Sequence, residues 1–553
     1  LMGRAGHDRG LLTIAAAAGM ETIRLSLQDV IDVGRNKLSP QMVFFGAETR
    51  VSDVSSFVVP IELIAGAFFL LVAGVMIGLG QVVGRRFASV GRPVHGYMLN
   101  VGGSLAGVLL FQVCSWWLSP AGWFAVVAAG LIYFLFREGR RRWWAVALTA
   151  AVPILLIVPE FFPSGVIRAN YPEEYWSPYY RINYSPKSRV IVTNLLGHQN
   201  MVSRREPAPA YSIPYLLNRD SGQAAFHDIL IIGAGSGNDL SRALQWATPD
   251  AHVDAVEIDP VIQDIGDSDH PDRPYRDPRV TLHLGDGRNF LRSTQKKYDL
   301  VVFALIDSLV LHSSVSNIRL ESYLFTIEAM RDVQSRIKPG GLFVMYNYFR
   351  QGWIVSRLTK TLQDVFPGPV LVLTLPHQDS IAAGRPAEAF TLFFAGPRSA
   401  IIDRAFRENG PYAIAKNAAP GPGTPDGFHQ TPAPNQERLS PAAVDIPAGL
   451  RVAEDAWPFL YLRNPMIPDL SWRGIVVLGL ISFGLLWVFG WRLGGGGAST
   501  LNAKMLLLGA GFMLLETKAV VHMALVFGST WVVNTVVFSA ILVMILLANV
   551  WVL

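Results

Sequence analysis

Acids stand at the ends of three successive apolar runs in this chain, and their types and spacing could do chemistry on a nucleoside. Residues 229–232 form a short apolar run that meets Gly233, Gly235 and Gly237. Residues 253–258 form a second run, with Glu257 and Asp259 at its end. Glu257 lies about 24 positions after Gly233, near the spacing at which a carboxylate accepts from both hydroxyls of a ribose. The glycines let a backbone turn tightly and approach a ligand with no Cβ in the way. Asp286, beside Gly287, follows a third run at 280–284 and could accept from an adenine amino group. Asp307 follows a fourth at 300–304 and could take a proton from an attacking amine. Each has a plainer reading: Asp286 as a turn residue, and Asp307 or Ser308 as a helix cap. Glu321 and Tyr323 open the next helical pattern, where an acid also suits the helix dipole. Tyr179, Tyr180 and Tyr211 could wall a pocket, although tyrosines in strands are commonly packing residues.

The elements that would position these groups alternate strand and helix, the pattern of an α/β Rossmann-like, doubly wound, mostly parallel sheet. A helix is expected over 239–246 and others near 322–337 and 353–365. Further strands are expected at 342–346, 370–375 and 390–395, with 338–341 as a turn. Residues 175–194 read as a leading β-hairpin. This α/β domain covers 160–400. Residues 401–472 form a Pro-, Gly- and Ala-rich extension and linker, with no core of its own expected at 410–450.

The rest of the chain is apolar. Hydrophobic residues make up 51% of the 553 positions and charged ones only 16%, with a mean hydropathy of +0.32. Soluble proteins carry roughly a quarter charged residues, so transmembrane α-helices are expected, each needing about 20 apolar residues. About four fall in 57–159, with candidates at 57–80, 94–118, 121–136 and 143–159. About three fall in 473–553, at 473–491, 503–528 and 531–553. Residues 1–56 read as a membrane or connecting segment of a chain continuing beyond both ends. The net charge of +5 argues poorly for nucleic acid, because the arginines cluster between apolar spans. The one cysteine, Cys114, excludes disulfides within the chain and a cysteine-rich metal site; no metal is expected. Arg85, Arg86, Arg92, Arg137, Arg140, Arg141 and Arg142 mark one side as cytoplasmic. Four spans then put the α/β domain outside the cytoplasm, at odds with a cofactor kept in the cytosol. Glu62, Glu516, Lys518 and His522 fall in or near apolar spans. Such groups usually face a bundle interior, as an ion pair or as the lining of a cation path.

These motifs resemble the spermidine synthase family, a branch of the S-adenosylmethionine methyltransferase-like fold. The resemblance rests on SPYYRI at 177–182, GAGSGN at 233–238, EID at 257–259, GDGR at 285–288, YDLVVF at 298–303 and ESY at 321–323. The flanking spans resemble the layout of polytopic bacterial inner-membrane proteins that carry such a domain. The resemblance implies binding of decarboxylated S-adenosylmethionine, or S-adenosylmethionine, as co-substrate. It further implies aminopropyl transfer to a small amine, as in polyamine biosynthesis. By motif position, Gly233, Gly235, Gly237, Glu257, Asp259, Asp286 and Gly287 would bind the nucleoside. Asp307 would be catalytic, and Glu321, Tyr323 and Tyr211 would bind the amine. Two family acids are replaced here, by Ser236 in the glycine turn and by Val310 after Asp307. Both changes weaken attraction for a polycation. The alternatives are methyl transfer from S-adenosylmethionine, and a transporter or sensor whose domain only binds. The expected partners are the amine and the bilayer, without nucleic acid; a homo-oligomer stays open.

Overall fold

A computed structural model describes residues 61–137, 171–306, 322–348, 352–376, 389–415, 426–428, 436–462, 469–490 and 499–552, apart from single positions, with a few more in 143–154. Among the described residues the first helices are α1 (Ile61–Ser89), α2 (Pro93–Trp117) and α3 (Pro120–Arg137). An antiparallel sheet follows: β1 (Glu173–Trp176), β2 (Arg181–Ser185), β3 (Val190–Thr193) and β4 (Leu196–Asn200). The expected hairpin is thus four strands. Ile182, Tyr184 and Ile191 form its buried face, with Tyr180 beside them as a packing residue.

The α/β unit runs α4 (Pro209–Asp220), β5 (Asp228–Ile232), α5 (Asn238–Trp246), β6 (His252–Glu257), α6 (Pro260–Asp269), β7 (Val280–Leu284), α7 (Gly287–Ser293) and β8 (Tyr298–Ala304). It continues with α8 (Ile327–Arg336), β9 (Ile337–Tyr348), α9 (Gly352–Val365), β10 (Leu371–Pro376) and β11 (Ala389–Ala395). The sheet order is β10-β11-β9-β8-β5-β6-β7. β5 pairs in parallel with both β6 and β8, whereas β11 lies antiparallel between β9 and β10. This is a methyltransferase-like α/β fold with a mostly parallel sheet. The chain leaves β5 toward β6 and β7, then returns to its other side at β8. A crevice at such a switch point, outside the strand C-termini, is where ligands bind in this architecture. Residues 229–232 are buried on both faces, and a continuous apolar run is what a central parallel strand requires. The turn expected at 338–341 lies inside β9, with Gly340 at φ 82°.

The extension departs from expectation. It contains α10 (Ser399–Asn409), β12 (Tyr412–Ala415), β13 (Gly427–Phe428) and β14 (Gln436–Leu439). Tyr412, Ile414 and Leu439 are buried in the main core. Residues 445–462 wrap around α9 and are fastened by Arg357, which is fully buried. Its guanidinium donates to the carbonyls of Arg451 (2.8 Å), Leu460 (2.6 Å) and Leu462 (2.6 Å). It also stacks on the rings of Trp353 and Trp457. Burial pulls its pKa down to about 10. A segment that reads as a linker is therefore part of the domain, because one cation satisfies carbonyls that an irregular chain would otherwise bury unpaired.

The last helices are α11 (Asp469–Gly490), α12 (Ser499–Phe527) and α13 (Trp531–Val552). Among the described residues four helices are long and apolar enough to cross a membrane, over Ala65–Phe87, Val94–Trp117, Leu506–Phe527 and Val532–Trp551; Pro120–Tyr133 and Trp472–Val488 are shorter. The expected span at 143–159 falls mostly outside the described residues. Leu506, Leu507 and Leu514 are each more than 70% exposed, which suits lipid better than water. Among the described residues no ion pair joins Glu516, Lys518 and His522, and the Glu62 side chain lies outside them.

Candidate functional site

The site is built on the C-terminal tips of β5, β6 and β7. Gly233 and Ala234 donate their N–H groups to the Val256 carbonyl, folding the glycine bend over the neighbouring strand (2.9 and 3.0 Å). Glu257 then joins three pieces of backbone. Its Oε2 accepts from Gly235 N–H (2.7 Å), its Oε1 from Asp259 N–H (2.9 Å), and its own carbonyl from Gly285 N–H (2.8 Å). Burial pushes its pKa up to about 7, with the two N–H groups pulling the other way. A carboxylate offers about four lone-pair directions, so two backbone donors leave capacity for hydroxyl donors.

At the next tip, Asp286 is 8% exposed and accepts from Asn289 N–H (2.8 Å), which makes it the N-cap of α7. Gly287 has a packing reason: a Cβ there would lie 2.4 Å from Ile232 Cγ2. Arg288 anchors the tip from below. It donates to Asp332 (2.7 Å), to both oxygens of Asp455 (3.1 Å each), to Thr326 Oγ1 (3.0 Å) and to the Tyr323 carbonyl (2.7 Å).

Asp259, expected at the ligand, is held by the protein's own groups. It is fully buried. One oxygen caps α6 at Val261 N–H (2.9 Å) and the other accepts from the Ser177 hydroxyl. The carboxylate is thus engaged by a helix start and by the leading sheet, which is a positioning role. The glycine bend is likewise closed by the protein's own side chains on its Cβ side. A Cβ on Gly235 would meet Gln199 Oε1 at 2.6 Å, and one on Gly237 would meet Pro274 at 2.6 Å. The left-handed backbone, at φ 54° and 104°, together with this packing favours glycine at these positions.

Several polar groups gather here, among them Gln199, Tyr275, His270 and Asp239, to which sequence reading assigns no role. Gln199 Oε1 accepts from Ser236 N–H (2.9 Å), and the Tyr275 hydroxyl donates to the Gly235 carbonyl (2.5 Å). The Ser236 hydroxyl is buried without a partner among the described residues. Asn238 Oδ1 accepts from Val202 N–H (2.9 Å) and faces His270 Nε2 at 3.2 Å. Asp239, in the first turn of α5, is 7% exposed and hydrogen-bonded to the Tyr346 hydroxyl. Burial pushes its pKa up to about 8. Tyr211 stands edge-on to Tyr346, ring centroids 6.2 Å apart, with its hydroxyl 3.4 Å from Asn238 Nδ2. Asn238 and Asp239 directly follow the bend, a signal that reads as a helix start and hides their contacts with Val202, His270 and Tyr346.

Tyr323 is buried, and its hydroxyl has no partner among the described residues. Asp307 and Glu321 lie outside the described residues. The chain enters that segment through Leu305, a non-glycine residue at φ 47°. Such backbone concentrates where function over-determines conformation. A separate cavity of about 220 Å³, lined by Arg204, Ser241, Asp272 and Arg276 among others, lies on the outer flank of α5.

Fold and strand-tip acids together define a methyltransferase-like α/β domain with Glu257 and Asp286 at the C-terminal tips of neighbouring strands. Comparison with known proteins narrows the class: the spermine/spermidine synthase domain matches residues 220–380, which makes this region spermidine synthase-like. The chain is 33% identical over 134 residues to the polyamine aminopropyltransferase of Korarchaeum cryptofilum, covering 24% of this chain and 37% of that protein. It is 28% identical over 163 residues to the polyamine aminopropyltransferase of Nitrosomonas europaea, covering 29% and 46%. It is 32% identical over 148 residues to putrescine N-methyltransferase 2 of Nicotiana tabacum, covering 26% and 39%. The chain thus spans less than half the length of these curated relatives. The solved spermidine synthase from Thermotoga maritima aligns over 41% of this chain and 72% of its own, at 17% identity and a TM-score of 0.32.

Proposed function

We propose that this protein is a membrane-anchored, aminopropyltransferase-like enzyme that takes a decarboxylated S-adenosylmethionine-type nucleoside and a small amine. The observation that carries this reading is Glu257, poised between the glycine bend and the β7 tip inside the region that matches spermine/spermidine synthases. In this reading Glu257 accepts from the ribose hydroxyls and Asp286 from the adenine amino group. Gly233, Gly235, Gly237 and Gly287 shape the bend, and Asp259 holds it in place. The amine nitrogen attacks the carbon beside the sulfonium, the C–S bond breaks, and methylthioadenosine leaves. The new ammonium gives its proton to Asp307. Tyr211, Glu321 and Tyr323 belong to the amine side. To them we add Asp239, whose carboxyl lies between Tyr346 and the glycine bend and could supply a negative charge in a chain that has Ser236 and Val310 at the two replaced acid positions. A cationic amine nearby would favour the ionised form of Asp239 and draw its pKa down from about 8.

A transfer assay with decarboxylated S-adenosylmethionine and a diamine tests this reading. We expect wild-type protein to release methylthioadenosine. Asp307→Asn should abolish release while nucleoside affinity stays within about twofold. Asp239→Asn should raise the KM for the amine by about tenfold or more, with the nucleoside KM unchanged. An undiminished rate in Asp307→Asn removes that residue from the mechanism. An unchanged amine KM in Asp239→Asn removes the second assignment.

The similarity to a putrescine N-methyltransferase supports one alternative, methyl transfer from S-adenosylmethionine to an amine. Methylated amine with S-adenosylmethionine, and no turnover with its decarboxylated form, would establish that alternative instead.

For location, we propose a bacterial inner-membrane protein with the α/β domain outside the cytoplasm. The domain meets the bundle at the end where α3 begins: Trp123, near the start of α3, stands edge-on to Trp176 with ring centroids 6.0 Å apart. Arg86 and Arg92 lie at the opposite ends of α1 and α2, and basic loops favour the cytoplasm. A phosphatase-type reporter inserted within 416–425, active only outside the cytoplasm, should be active. A silent phosphatase with an active cytoplasmic reporter at the same place would reverse the placement.

A further inference from the structure

The turn between α12 and α13 reaches the β7 tip. Gly528 in this turn is buried and holds φ 97°, a conformation that side-chain-bearing residues rarely adopt. A Cβ on Gly528 would lie 2.7 Å from Asp286 Cβ, 3.2 Å from Asp286 Cγ and 3.3 Å from Asn289 Cβ. The backbone of a membrane hairpin therefore lies against the acid that caps α7. A second tie lies one helical turn further along α7. Arg292 Nη1 donates to the Leu525 carbonyl (2.6 Å), in the last turn of α12, where carbonyls lack intrahelical partners and a cation is favoured. Glycine and arginine together fix the hairpin on one edge of the strand-tip crevice.

We propose that the α12–α13 turn is a wall of the nucleoside pocket, with Gly528 as its specificity-determining residue: a purine held at Asp286 packs against the membrane hairpin. The inference rests on the adenosine reading above. It makes the site a joint product of the soluble domain and the bundle. By linkage, occupancy of the pocket and the seating of the hairpin then stabilise each other to the same extent. The space at Gly528 explains the residue: any side chain there would displace Asp286 from the position the purine needs.

Hydrogen exchange on the full chain in detergent, with methylthioadenosine as probe, separates the possibilities. Without ligand, Arg292→Ala and Gly528→Ala should each speed exchange at 286–293 and at 525–530. With ligand, the wild-type turn at 525–530 should slow its exchange. Gly528→Ala should weaken methylthioadenosine binding by about tenfold or more, and Arg292→Ala by about threefold or more. Arg292 is exposed, so its variant stays informative if the glycine variant fails to fold. Wild-type binding that leaves 525–530 unchanged, or Arg292→Ala binding as wild type, overturns the pocket wall while the adenosine reading stands. Absence of binding by wild type, with the exchange differences between variants intact, overturns the adenosine reading and the pocket wall, and leaves a purely structural hairpin contact.

Discussion

Glu257→Gln is expected to weaken methylthioadenosine binding by about ten- to a hundredfold at pH 8, measured by calorimetry on the full chain in detergent. Two effects act in the same direction. Hydrogen bonds to a charged acceptor contribute about 1.5–3 kcal/mol each, against about 1 for a neutral one, and 1.4 kcal/mol is tenfold in affinity. Glutamine also replaces one acceptor by an NH2 group. Both oxygens of Glu257 accept from backbone, at Gly235 and Asp259, so one N–H would face a donor and the glycine bend would shift. Unaltered affinity in this variant removes Glu257 from the ligand contacts. The wild-type affinity should itself depend on pH. Burial raises the Glu257 pKa to about 7, and only the charged form accepts fully from two hydroxyls. Affinity should therefore rise as pH climbs through 7, with proton release on binding below it. The stability linkage runs the other way. The folded carboxyl holds its proton above the ordinary value of 4.5, so this group's contribution is full below about pH 4.5 and is lost as pH rises through 7. Asp239, pushed up to about 8, acts in the same sense to a higher pH.

Arg288→Ala is expected to cost about 3–5 kcal/mol of stability, the usual penalty for removing one member of a buried ionic network. The carboxylates of Asp332 and Asp455 and the Tyr323 carbonyl would lose their shared donor. Asp455 lies in the wrapped extension and accepts as well from Thr326 Oγ1 (2.7 Å). Residues 451–462 should therefore loosen together with the β7 tip, visible as proteolytic cleavage within 440–462 and a lower thermal midpoint. A thermal midpoint within a degree of wild type would show that Arg288 is not the anchor described here. Arg288→Lys should recover only part of the loss, because an ammonium cannot reproduce the two-pronged contact with Asp455.

The strands and the glycine bend were legible because buried parallel strands leave continuous apolar runs, and residues 229–232 end directly in glycine. The long apolar helices were legible for the same reason of composition. Asp259 was readable, and the structure gives it a helix-capping role that local sequence also signals. Asp259 followed by Pro260 is a helix start, an N-cap with proline in the first turn, and α6 begins there. Residues 440–462 could not be read, since their fixed conformation depends on Arg357, Trp353 and Arg288, about a hundred or more positions away in the chain. Local composition there is that of a linker. Asp239 and Tyr346 meet only through the sheet, and Gly528 meets Asp286 only through the folded bundle. None of these pairings leaves a periodic or local signal.

The most direct measurement is a structure of the full chain with methylthioadenosine bound. The account predicts both ribose hydroxyls within about 3 Å of the Glu257 carboxylate and the adenine amino group at Asp286, with the purine against the turn at Gly528. A nucleoside bound elsewhere, or a crevice left empty at saturating ligand with Glu257 still holding only the Gly235 and Asp259 N–H groups, would contradict it.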